Sequence, residues 1–445
     1  MHNQIVSEEK PVRLLRPSVP CWAIGLAVLI GSTVWSQEKD GLRHLQGQHV
    51  HLVTDLLDDQ RTTELTRVFD LAVPQWCEYF HVSPESVTDW KITAYLIRNP
   101  VRFRNAGLLP ADLPVFLNGF QRGHEVWVNE QPGDYYLRHL LLHEGTHAFL
   151  STQLGGTGAA WYNEGVAELL ATHRWTDGKL SLNENPHSKD QFPYWGRIKM
   201  VQDEIAAGRS RTLSDIVRFR NEDFRQNTPY GWSWAVCYFF DRHPAYRDRF
   251  HSMQKAVELN DAAFSSHFGR MFRKDGQALQ RDWQLFVTYL DYGYDPTEDV
   301  VWSRPAKAGF TAEKPVNQEA SVQVDSAKGW QDSGLQVEAG QTYVLAAKGS
   351  FTVRHESEPW ISEPNGITIQ YHQGRPLGQL LAAVVSPDQT DGLSNAFAVG
   401  NFRTWKAETS GTLYFRINEM AGQLGDNRGE LQVTIKPGES AESPD

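Results

Sequence analysis

The sequence has few cysteines, no excess of basic charge and, beyond its N-terminal segment, no long hydrophobic run. Three cysteines in 445 residues are too few for a disulfide-rich scaffold. Acidic residues outnumber basic ones, 54 to 43, which gives a net charge of -11. With no basic stripe in the sequence, this balance argues against a nucleic-acid partner. No internal run has the roughly 20 apolar residues that a membrane helix needs.

The first 36 residues have the pattern of a signal peptide. The basic residues are Lys10, Arg13 and Arg16, and the apolar stretch is Cys21–Trp35. Cleavage after Ser36 would fit the small residues preferred at such sites. An uncleaved anchor is the alternative, because the charged region is long and Trp35 is unusual next to a cleavage site. We expect a secreted or periplasmic protein of bacterial type, without a membrane span once the signal is removed.

Two cysteines, Cys77 and Cys237, remain after the signal. In an oxidising compartment they could form one disulfide. Both lie in apolar helical patterns, so the alternative is two small buried hydrophobic side chains. Neither has the setting of a nucleophile or a metal ligand.

Patterning divides the sequence into two domains of different class. Residues 37–295 contain a few strands followed by many helical patterns, which predicts an α+β domain that is mainly helical after a small N-terminal sheet. Residues 296–318, rich in Pro, Lys and Glu, are predicted to be a linker. Residues 319–437 have short alternating runs between Gly, Asn and Asp, which predicts an all-β sandwich or jelly roll. Residues 438–445 form an acidic tail that we expect to be disordered.

The secondary structure of the first domain is predicted from apolar periodicity. Strands are expected at 49–56, 90–97 and 122–129. Helices are expected at 60–80, 134–151, 160–174, 213–226, 232–242, 245–260 and 276–290. We expect the strand at 123–129 to lie beside a metal site on the following helix, where an extended peptide could pair with its edge.

The helix at 134–151 carries the motif His143-Glu144-Gly145-Thr146-His147. Histidines four residues apart share one helical face and can bind one metal ion, and the glutamate between them can act on a water. The helix is apolar over much of its circumference, so the imidazoles are buried and need a partner. This pattern predicts a zinc site in which His143 and His147 are ligands and Glu144 is the general base.

The segment Trp161-Tyr-Asn-Glu164-Gly-Val-Ala-Glu168 supplies two more carboxylates. A catalytic zinc takes three protein ligands, and Glu164 is our choice for the third. Glu168, one turn later, could hydrogen-bond the free ring N–H of a histidine. Taken alone, both glutamates would be solvated helix residues; their position after a complete motif favours metal binding. His139 is a weaker candidate, because it would displace a carboxylate with better support.

These two segments together resemble the gluzincin metallopeptidases of the peptidase-MA-like group. The resemblance implies a zincin-like fold, with His143, His147 and Glu164 as zinc ligands, Glu144 as catalytic base and Glu168 beside the ligands. Many gluzincins stabilise the oxyanion with a tyrosine or histidine, a role that would fall on Tyr230; a capping or core role for Tyr230 is equally open. Sixteen residues separate His147 from Glu164, slightly fewer than in well-known members. No amine-binding motif of an exopeptidase is present, which favours an endopeptidase.

Residues 327–435 carry a second pattern, which includes Gly411-Thr-Leu-Tyr-Phe-Arg-Ile-Asn418-Glu419 and Gly425-Asp426-Asn427-Arg-Gly429. It resembles the small calcium-dependent galactose-binding bacterial lectins. Glu419, Asp426 and Asn427 are hard oxygen donors on a Gly-rich loop, which suits Ca²⁺. The resemblance adds the carbonyl of Gln423 and a carbonyl near Val353. Glu419 and Asp426 stand where the family has Asp and Asn, and residues 354–363 do not match its sugar-contacting loop. A polar turn without an ion is the alternative.

The sequence therefore predicts an exported zinc metallopeptidase that acts on a peptide or protein, with a C-terminal module that binds calcium and a galactose-type or other glycan. The rival is a glycan-binding protein with an inactive peptidase-like domain, against which the intact Glu144 argues. An enzyme acting on cell-wall peptides is a third possibility. Zinc is preferred over other divalent ions on ligand type.

Overall fold

The computed structural model describes residues 35–39, 41–294, 314–354, 358–386 and 396–438. Most of the predicted signal peptide, most of the predicted linker and all of the predicted tail after Gly438 lie outside the described residues. Within them, no helix has the length and apolar content needed to cross a membrane.

The first part of the molecule, up to residue 294, has eight strands and ten α-helices among its described residues. The strands are β1 (Trp35–Lys39), β2 (Leu42–Gln46), β3 (Val50–Thr54), β4 (Ile92–Ile97), β5 (Gly119–Arg122), β6 (Glu125–Asn129), β7 (His173–Thr176) and β8 (Lys179–Leu182). The helices are α1 (Asp59–Tyr79), α2 (Pro100–Asn105), α3 (Asp134–Gln153), α4 (Ala160–Ala171), α5 (Arg197–Ala206), α6 (Leu213–Ile216), α7 (Thr228–Arg242), α8 (Arg247–Ser252), α9 (Asp261–Met271) and α10 (Gly276–Tyr289).

Six of these strands form one mixed sheet in the order β1-β2-β3-β4-β6-β5. Strands β3, β4 and β6 are parallel, and β5 is antiparallel to β6. Alternate side chains of β6 point to opposite faces: Val126 and Val128 join the main core with α1 and α3, while Trp127 joins a smaller cluster on the other face. The sheet thus supports α3 on one side.

The strand predicted to be the sheet edge at 123–129 is not the edge. It corresponds to β6, which lies between β4 and β5. The outer strand is β5, whose four residues Gly-Phe-Gln-Arg carry almost no apolar alternation. The hairpin turn at Gly123, where φ is +60°, joins β5 to β6, so that β5 lies along the outer edge of β6.

The longer predicted helices are present in the fold as α1, α3, α4, α7 and α10, within a few residues of the expected bounds. The helix expected at 213–226 is wrong beyond the single turn of α6. There the Asp223 carboxylate accepts the backbone N–H of Arg220 at 2.8 Å, and such local side-chain bonds compete with a helix. The helix expected at 245–260 is α-helical only over α8.

The described residues of the C-terminal part form short strands and a 3-10 helix at Ala421–Asp426, as expected for a β-rich domain. The strands are β9 (Lys314–Pro315), β10 (Ala320–Asp325), β11 (Gln331–Val337), β12 (Thr342–Lys348), β13 (Phe351–Arg354), β14 (Trp360–Ser362), β15 (Ile367–His372), β16 (Arg375–Leu377), β17 (Leu380–Val385), β18 (Phe397–Ala398), β19 (Phe402–Lys406), β20 (Gly411–Ile417) and β21 (Glu430–Pro437).

Two sheets enclose the core of this part. One has the order β10-β21-β12-β19 and the other β18-β17-β20-β11-β9. Leu345 and Ile435 from the first sheet share a core with Leu413 from the second. Hairpins β13–β14 and β15–β16 complete the sandwich. Strand β9, within the predicted linker, pairs in parallel with β11.

Cys77 and Cys237 are both buried free thiols, so the alternative of a disulfide is wrong. Burial raises the pKa of the Cys237 thiol well above its ordinary value. Its sulfur lies against Gly165 of α4. Both cysteines therefore act as small core side chains.

Candidate metal centre

Helix α3 presents His143, Glu144 and His147 from a buried position. His143 is 5% exposed and His147 is 7% exposed. The helix can sit this deep because Gly145 lacks a side chain: a methyl group there would lie 2.6 Å from Phe69 and 2.7 Å from Trp76 of α1. The glycine of the motif thus sets the distance between α3 and its support.

Helix α4 brings Glu164 to the two histidines. It packs closely against α7, because a methyl group on Gly165 would lie 2.5 Å from the Ser233 carbonyl oxygen. Glu164 Oε2 lies 3.2 Å from His143 Nε2 and 3.5 Å from His147 Nε2. The two Nε2 atoms lie 3.0 Å apart.

These three atoms have the spacing of ligands around one ion. A tetrahedral zinc with bonds of about 2.1 Å separates its ligands by about 3.4 Å, close to the 3.0, 3.2 and 3.5 Å in this triangle. Two imidazoles and one carboxylate also form the donor set expected of a catalytic zinc. The residues present therefore fit the predicted metal.

The ring of His147 is oriented by Asn163, one residue before Glu164. Nδ1 of His147 lies 2.9 Å from Asn163 Oδ1, an acceptor, so Nδ1 carries the proton and Nε2 is left free to bind a metal. Asn163 was not among the site residues predicted from the sequence. The signals that pointed to this segment were its two carboxylates, Glu164 and Glu168.

Glu168 lies next to the Nδ1 side of His143 and also approaches His139. Its Oε1 is 3.5 Å from His143 Nδ1, and its Oε2 is 3.2 Å from His139 Nε2. Arg197, also missed from the sequence, donates from Nε and Nη2 to the two oxygens at 2.9 and 2.7 Å. The group formed by His139, His143 and Glu168 has the atoms for a second metal site, but the guanidinium already neutralises its carboxylate. His139 is thus part of the support of Glu168.

The charges at the centre are strongly coupled. Burial raises the pKa of Glu144 to about 8, and the charges of Glu164 and Glu168 add to this effect. Burial alone would lower the pKa of His147, but the Glu164 carboxylate, together with Glu144 and Asn163, outweighs burial and raises the pKa. The site therefore favours positive charge opposite Glu164, and a divalent cation would provide that charge with both imidazoles neutral.

Strand β5 passes directly beside Glu144. A methyl group on Gly119 would overlap the Glu144 carboxylate, so the backbone of the outer strand and the predicted base are in contact. Further along, Gln121 Nε2 donates to Ser151 Oγ of α3 at 3.1 Å. The edge strand expected next to the metal is thus β5.

Tyr230, near the start of α7, lies at the side of the centre. Its ring centroid is 6.2 Å from that of His143, and the Arg197 guanidinium carbon lies 5.5 Å from the same tyrosine ring. Burial raises the pKa of the Tyr230 phenol, and the charges of Glu164, Glu168 and Glu144 raise it further. The phenol therefore stays protonated and can donate a hydrogen bond.

The candidate calcium residues lie together only in part. Glu419 is 1% exposed and Asn427 is fully buried, and Asn427 Nδ2 donates to Glu419 Oε2 at 2.7 Å. Asp426 and Gln423 are exposed. Val353 lies on β13, whose neighbouring residue Thr352 exchanges backbone hydrogen bonds with Arg428.

The buried pair of Glu419 and Asn427 contains a carboxyl group with a raised pKa and, within the described part of the chain, an amide oxygen without a hydrogen-bond partner. Burial raises the pKa of Glu419 to about 8. Among the described residues, the buried Oδ1 of Asn427 has no hydrogen-bond partner. A buried carboxylate beside an unpaired amide oxygen offers two of the roughly six to eight oxygen donors that Ca²⁺ takes.

No protein-family model matches the sequence, and no curated protein is similar to it. Among solved structures, the chain is similar to a PllA-like lectin, the EclA N-terminal domain, at 22% identity and a TM-score of 0.22, over 26% of this chain and 95% of that one. It is similar to an aminopeptidase N family protein from Idiomarina loihiensis at 10% identity and a TM-score of 0.33, over 88% of this chain and 70% of that one.

A third similar structure is PliG of Aeromonas hydrophila, a periplasmic inhibitor of g-type lysozyme, with 12% identity, a TM-score of 0.17, and coverage of 28% of this chain and 96% of that one. All three TM-scores are too low to establish a shared fold. The geometry of the protein's own residues is therefore the basis for its proposed function.

Proposed function

We propose that this protein is an exported zinc-dependent peptidase of gluzincin type, acting as an endopeptidase, with a C-terminal module for calcium and a glycan. The observation that carries the proposal is the triangle of His143, His147 and Glu164 donor atoms, 3.0 to 3.5 Å apart, with Glu144 and a strand edge beside it. A zinc ion held there would polarise the peptide carbonyl and a water.

The residues of the protein then have distinct roles. Glu144 accepts a proton from the attacking water and passes it to the leaving amine. Glu168 and Asn163 hold the imidazoles of His143 and His147 in position. Tyr230, as a neutral phenol, donates a hydrogen bond to the oxyanion. The backbone of β5 aligns the substrate by pairing with it.

The test compares metal content and hydrolysis of an unfolded protein for the wild type and for Glu144→Gln. We expect about one zinc per molecule in both, since only one such triangle is proposed, and a loss of activity in the variant of about 100-fold or more. Glu78→Gln, on the exposed side of α1, is the matched control. Normal zinc with no hydrolysis by the wild type would favour the rival, a glycan-binding protein with an inactive peptidase-like domain.

For the C-terminal module we propose Ca²⁺ binding by Glu419 and Asn427, with Asp426 and the Gln423 carbonyl closing around the ion, and glycan binding next to it. Support comes from the buried carboxylate of Glu419 and from the unpaired amide oxygen of Asn427. A glycan array with and without chelator tests the module. Calcium titration of wild type against Glu419→Gln tests the ion itself: heat of binding is expected only for the wild type.

Export is proposed from the N-terminal pattern of basic and apolar residues. N-terminal sequencing of the protein from the extracytoplasmic fraction is expected to begin at Gln37, which would leave only the last three residues of β1, Gln37 to Lys39, in the mature protein. A start at Met1 in a membrane fraction would instead identify an uncleaved anchor.

A further inference from the structure

The loop at residues 217–227 connects α6 to α7 and contacts a side chain of the metal centre. The ring of Phe224 in this loop meets the ring of Tyr230 edge to face, with centroids 5.0 Å apart. The Tyr230 ring in turn lies 6.2 Å from the ring of His143. Phe224 and Tyr230 are both only partly buried. The two aromatic rings therefore form a continuous and accessible surface between a proposed zinc ligand and the loop.

Two phenylalanines hold the loop against the helical part of the molecule. Phe219 is 8% exposed and belongs to the main core, against which Phe224 also packs. The two rings contact each other edge to face, with centroids 6.1 Å apart. Because these side chains fix the backbone of the loop, the residues next to them project into solvent from a defined place.

The residues that project from the loop include three arginines. Arg218, Arg220 and Arg225 are all exposed, and their side chains form no ion pair or hydrogen bond with any residue that the structure describes. The two acidic residues of the loop, Glu222 and Asp223, are exposed as well and do not pair with the arginines. The guanidinium groups are therefore available to a ligand.

Two other exposed arginines of the helical part have partners. Arg98 donates to Glu130 and Arg209 donates to Glu204, in both cases at 2.7 Å. Acidic partners are abundant in a chain with a net charge of -11. Three guanidinium groups without such partners, on a fixed loop beside the metal centre, are suited to a carboxylate that the protein does not itself supply.

We propose that Arg220 and Arg225, with Arg218 beside them, bind acidic side chains of the substrate, so that the enzyme prefers peptides with Glu or Asp near the cleaved bond. This inference rests on the proposed peptidase function. Guanidinium groups pair with carboxylates through charge-assisted hydrogen bonds, often two at once. Successive residues of an extended peptide advance about 3.3 Å. The spacing of the two aromatic rings therefore places the contact within about five residues of the cleaved bond.

The experiment uses the zinc-loaded full-length protein, after a peptide-library digest has located the cleaved bond. It measures kcat/KM on pairs of peptides that differ only by Glu or Gln, with the exchange moved through about five positions on each side of that bond. At low ionic strength the wild type is expected to prefer Glu about 5-fold at one position or more, the effect of an exposed ion pair. The preference should fall to about 2-fold or less in Arg220→Gln/Arg225→Gln. It should also fall in the wild type at 1 M salt, where the Debye length is about 3 Å.

The matched control removes two positive charges from the sandwich. Lys348 and Lys406 are exposed, on β12 and β19, and Lys348→Gln/Lys406→Gln should keep the wild-type preference. Because each result is a ratio of two substrates, it does not depend on the fraction of enzyme that is folded. An equal loss of preference in the control would assign the effect to the net charge of the molecule and overturn the inference.

The remaining outcomes separate this inference from the proposed function. No hydrolysis by the zinc-loaded wild type would overturn the proposed function, and this inference with it. Hydrolysis without a preference for Glu, or with the same preference in the double arginine variant, would overturn the inference alone. Retention of the wild type, but not of that variant, on an anionic polysaccharide, with the peptide preference unchanged, would assign the loop to a glycan and overturn the inference as well.

Discussion

Substitution of Asn163 tests whether metal binding depends on residues outside the proposed set of ligands. Its Oδ1 accepts from His147 Nδ1 at 2.9 Å and so keeps Nε2 available. We expect Asn163→Ala to weaken zinc affinity about 10- to 100-fold, the usual effect of losing such a partner. Asn163→Asp retains the acceptor and is expected to bind zinc at least as tightly as the wild type. Competition with a chromophoric chelator measures both, and an unchanged Kd for Asn163→Ala would remove Asn163 from the centre.

Arg197 and Glu168 form a buried ion pair, 6% and 2% exposed. Removing one partner leaves an uncompensated buried charge, which costs about 3–5 kcal/mol. Arg197→Met is therefore expected to lower the free energy of unfolding by that amount in a urea titration. Arg197→Met/Glu168→Gln should recover part of the loss because no charge remains buried. Lys199→Met, two residues along α5 and exposed, is the control; equal effects of Arg197→Met and Lys199→Met would refute the role of the pair.

His173 predicts a pH dependence of stability. It stacks on Tyr135 at 4.5 Å, and Nδ1 donates to the Ala171 carbonyl at 2.9 Å. Burial lowers its pKa to about 3, from 6.5. Between these values the unfolded protein binds the extra proton and the folded protein does not. The free energy of unfolding therefore decreases as pH falls from about 6.5, by at most about 1.4 kcal/mol per pH unit.

Replacement of the imidazole isolates this contribution. His173→Gln cannot gain a proton, so its urea unfolding should depend less on pH between pH 4 and 6.5 than that of the wild type. His124→Gln, at an exposed histidine, should keep the wild-type slope. Parallel pH profiles for wild type and His173→Gln would show that His173 does not contribute.

At the scale of single residues, the site groups that could be predicted from the sequence are those that belong to one local motif. His143, Glu144 and His147 are related by helical spacing alone, and Glu164 was inferred from the ligand number that zinc requires. The structure brings the two histidines and Glu164 together. Arg197 lies 29 residues after Glu168 and pairs with it through tertiary packing. No periodicity links such positions, which is why Arg197 was missed.

At the scale of elements, apolar periodicity located the long helices but not the outer strand. The pattern Val-Trp-Val in β6 is strongly apolar because both of its faces are covered. Strand β5 has one glycine against Glu144 and a glutamine bonded to α3, so it shows little of the alternation that marks a strand. Gly119 and Gln121 make β5 part of the site. Because neither is apolar, the same two residues remove the apolar alternation by which β5 could have been predicted.

Close packing of α3 on α1 gives a prediction about helix placement. A methyl group on Gly145 would collide with Phe69 and Trp76. Gly145→Ala is expected to lower the free energy of unfolding by about 1–3 kcal/mol, as overpacking does, and to weaken zinc binding because α3 must shift. Gly269→Ala on α9 is the control: a methyl group there meets nothing within 4 Å, so a gain of up to about 1 kcal/mol is expected from helix propensity.

Thermal unfolding with and without zinc separates the two effects of Gly145→Ala. A shift of α3 predicts that added zinc stabilises this variant less than it stabilises the wild type, since stabilisation by a ligand grows with its affinity. If zinc raised the Tm of both by the same amount, the packing at Gly145 would affect stability without placing the ligands.

At the scale of the whole molecule, the sandwich is packed onto the helical part. In β17, Ala382 and Val384 face the sandwich core, whereas Leu381, Ala383 and Val385 join the core of the first part. Strand β17 is accordingly the uninterrupted run Leu-Leu-Ala-Ala-Val-Val. Such a run indicates a strand covered on both faces, and it is the signal by which the contact could have been predicted from the sequence.

Trp330 is part of this contact. It is 1% exposed, and its ring centroid lies 4.9 Å from that of Tyr289 in α10. The Arg416 guanidinium carbon lies 4.9 Å from the same tyrosine ring. Truncating a buried tryptophan costs about 3–5 kcal/mol, and here the loss falls on the contact between the two parts.

Because the two parts share a core, ligand binding to one should stabilise both. Zinc added to the wild type is expected to raise the temperature of a single calorimetric transition. In Trp330→Ala we expect two transitions, of which zinc raises only the one that belongs to the helical part. Trp405→Ala, within the other sheet of the sandwich, should weaken the sandwich and still leave one transition that responds to zinc. A single zinc-responsive transition in Trp330→Ala would mean that the contact around Tyr289 does not couple the two parts.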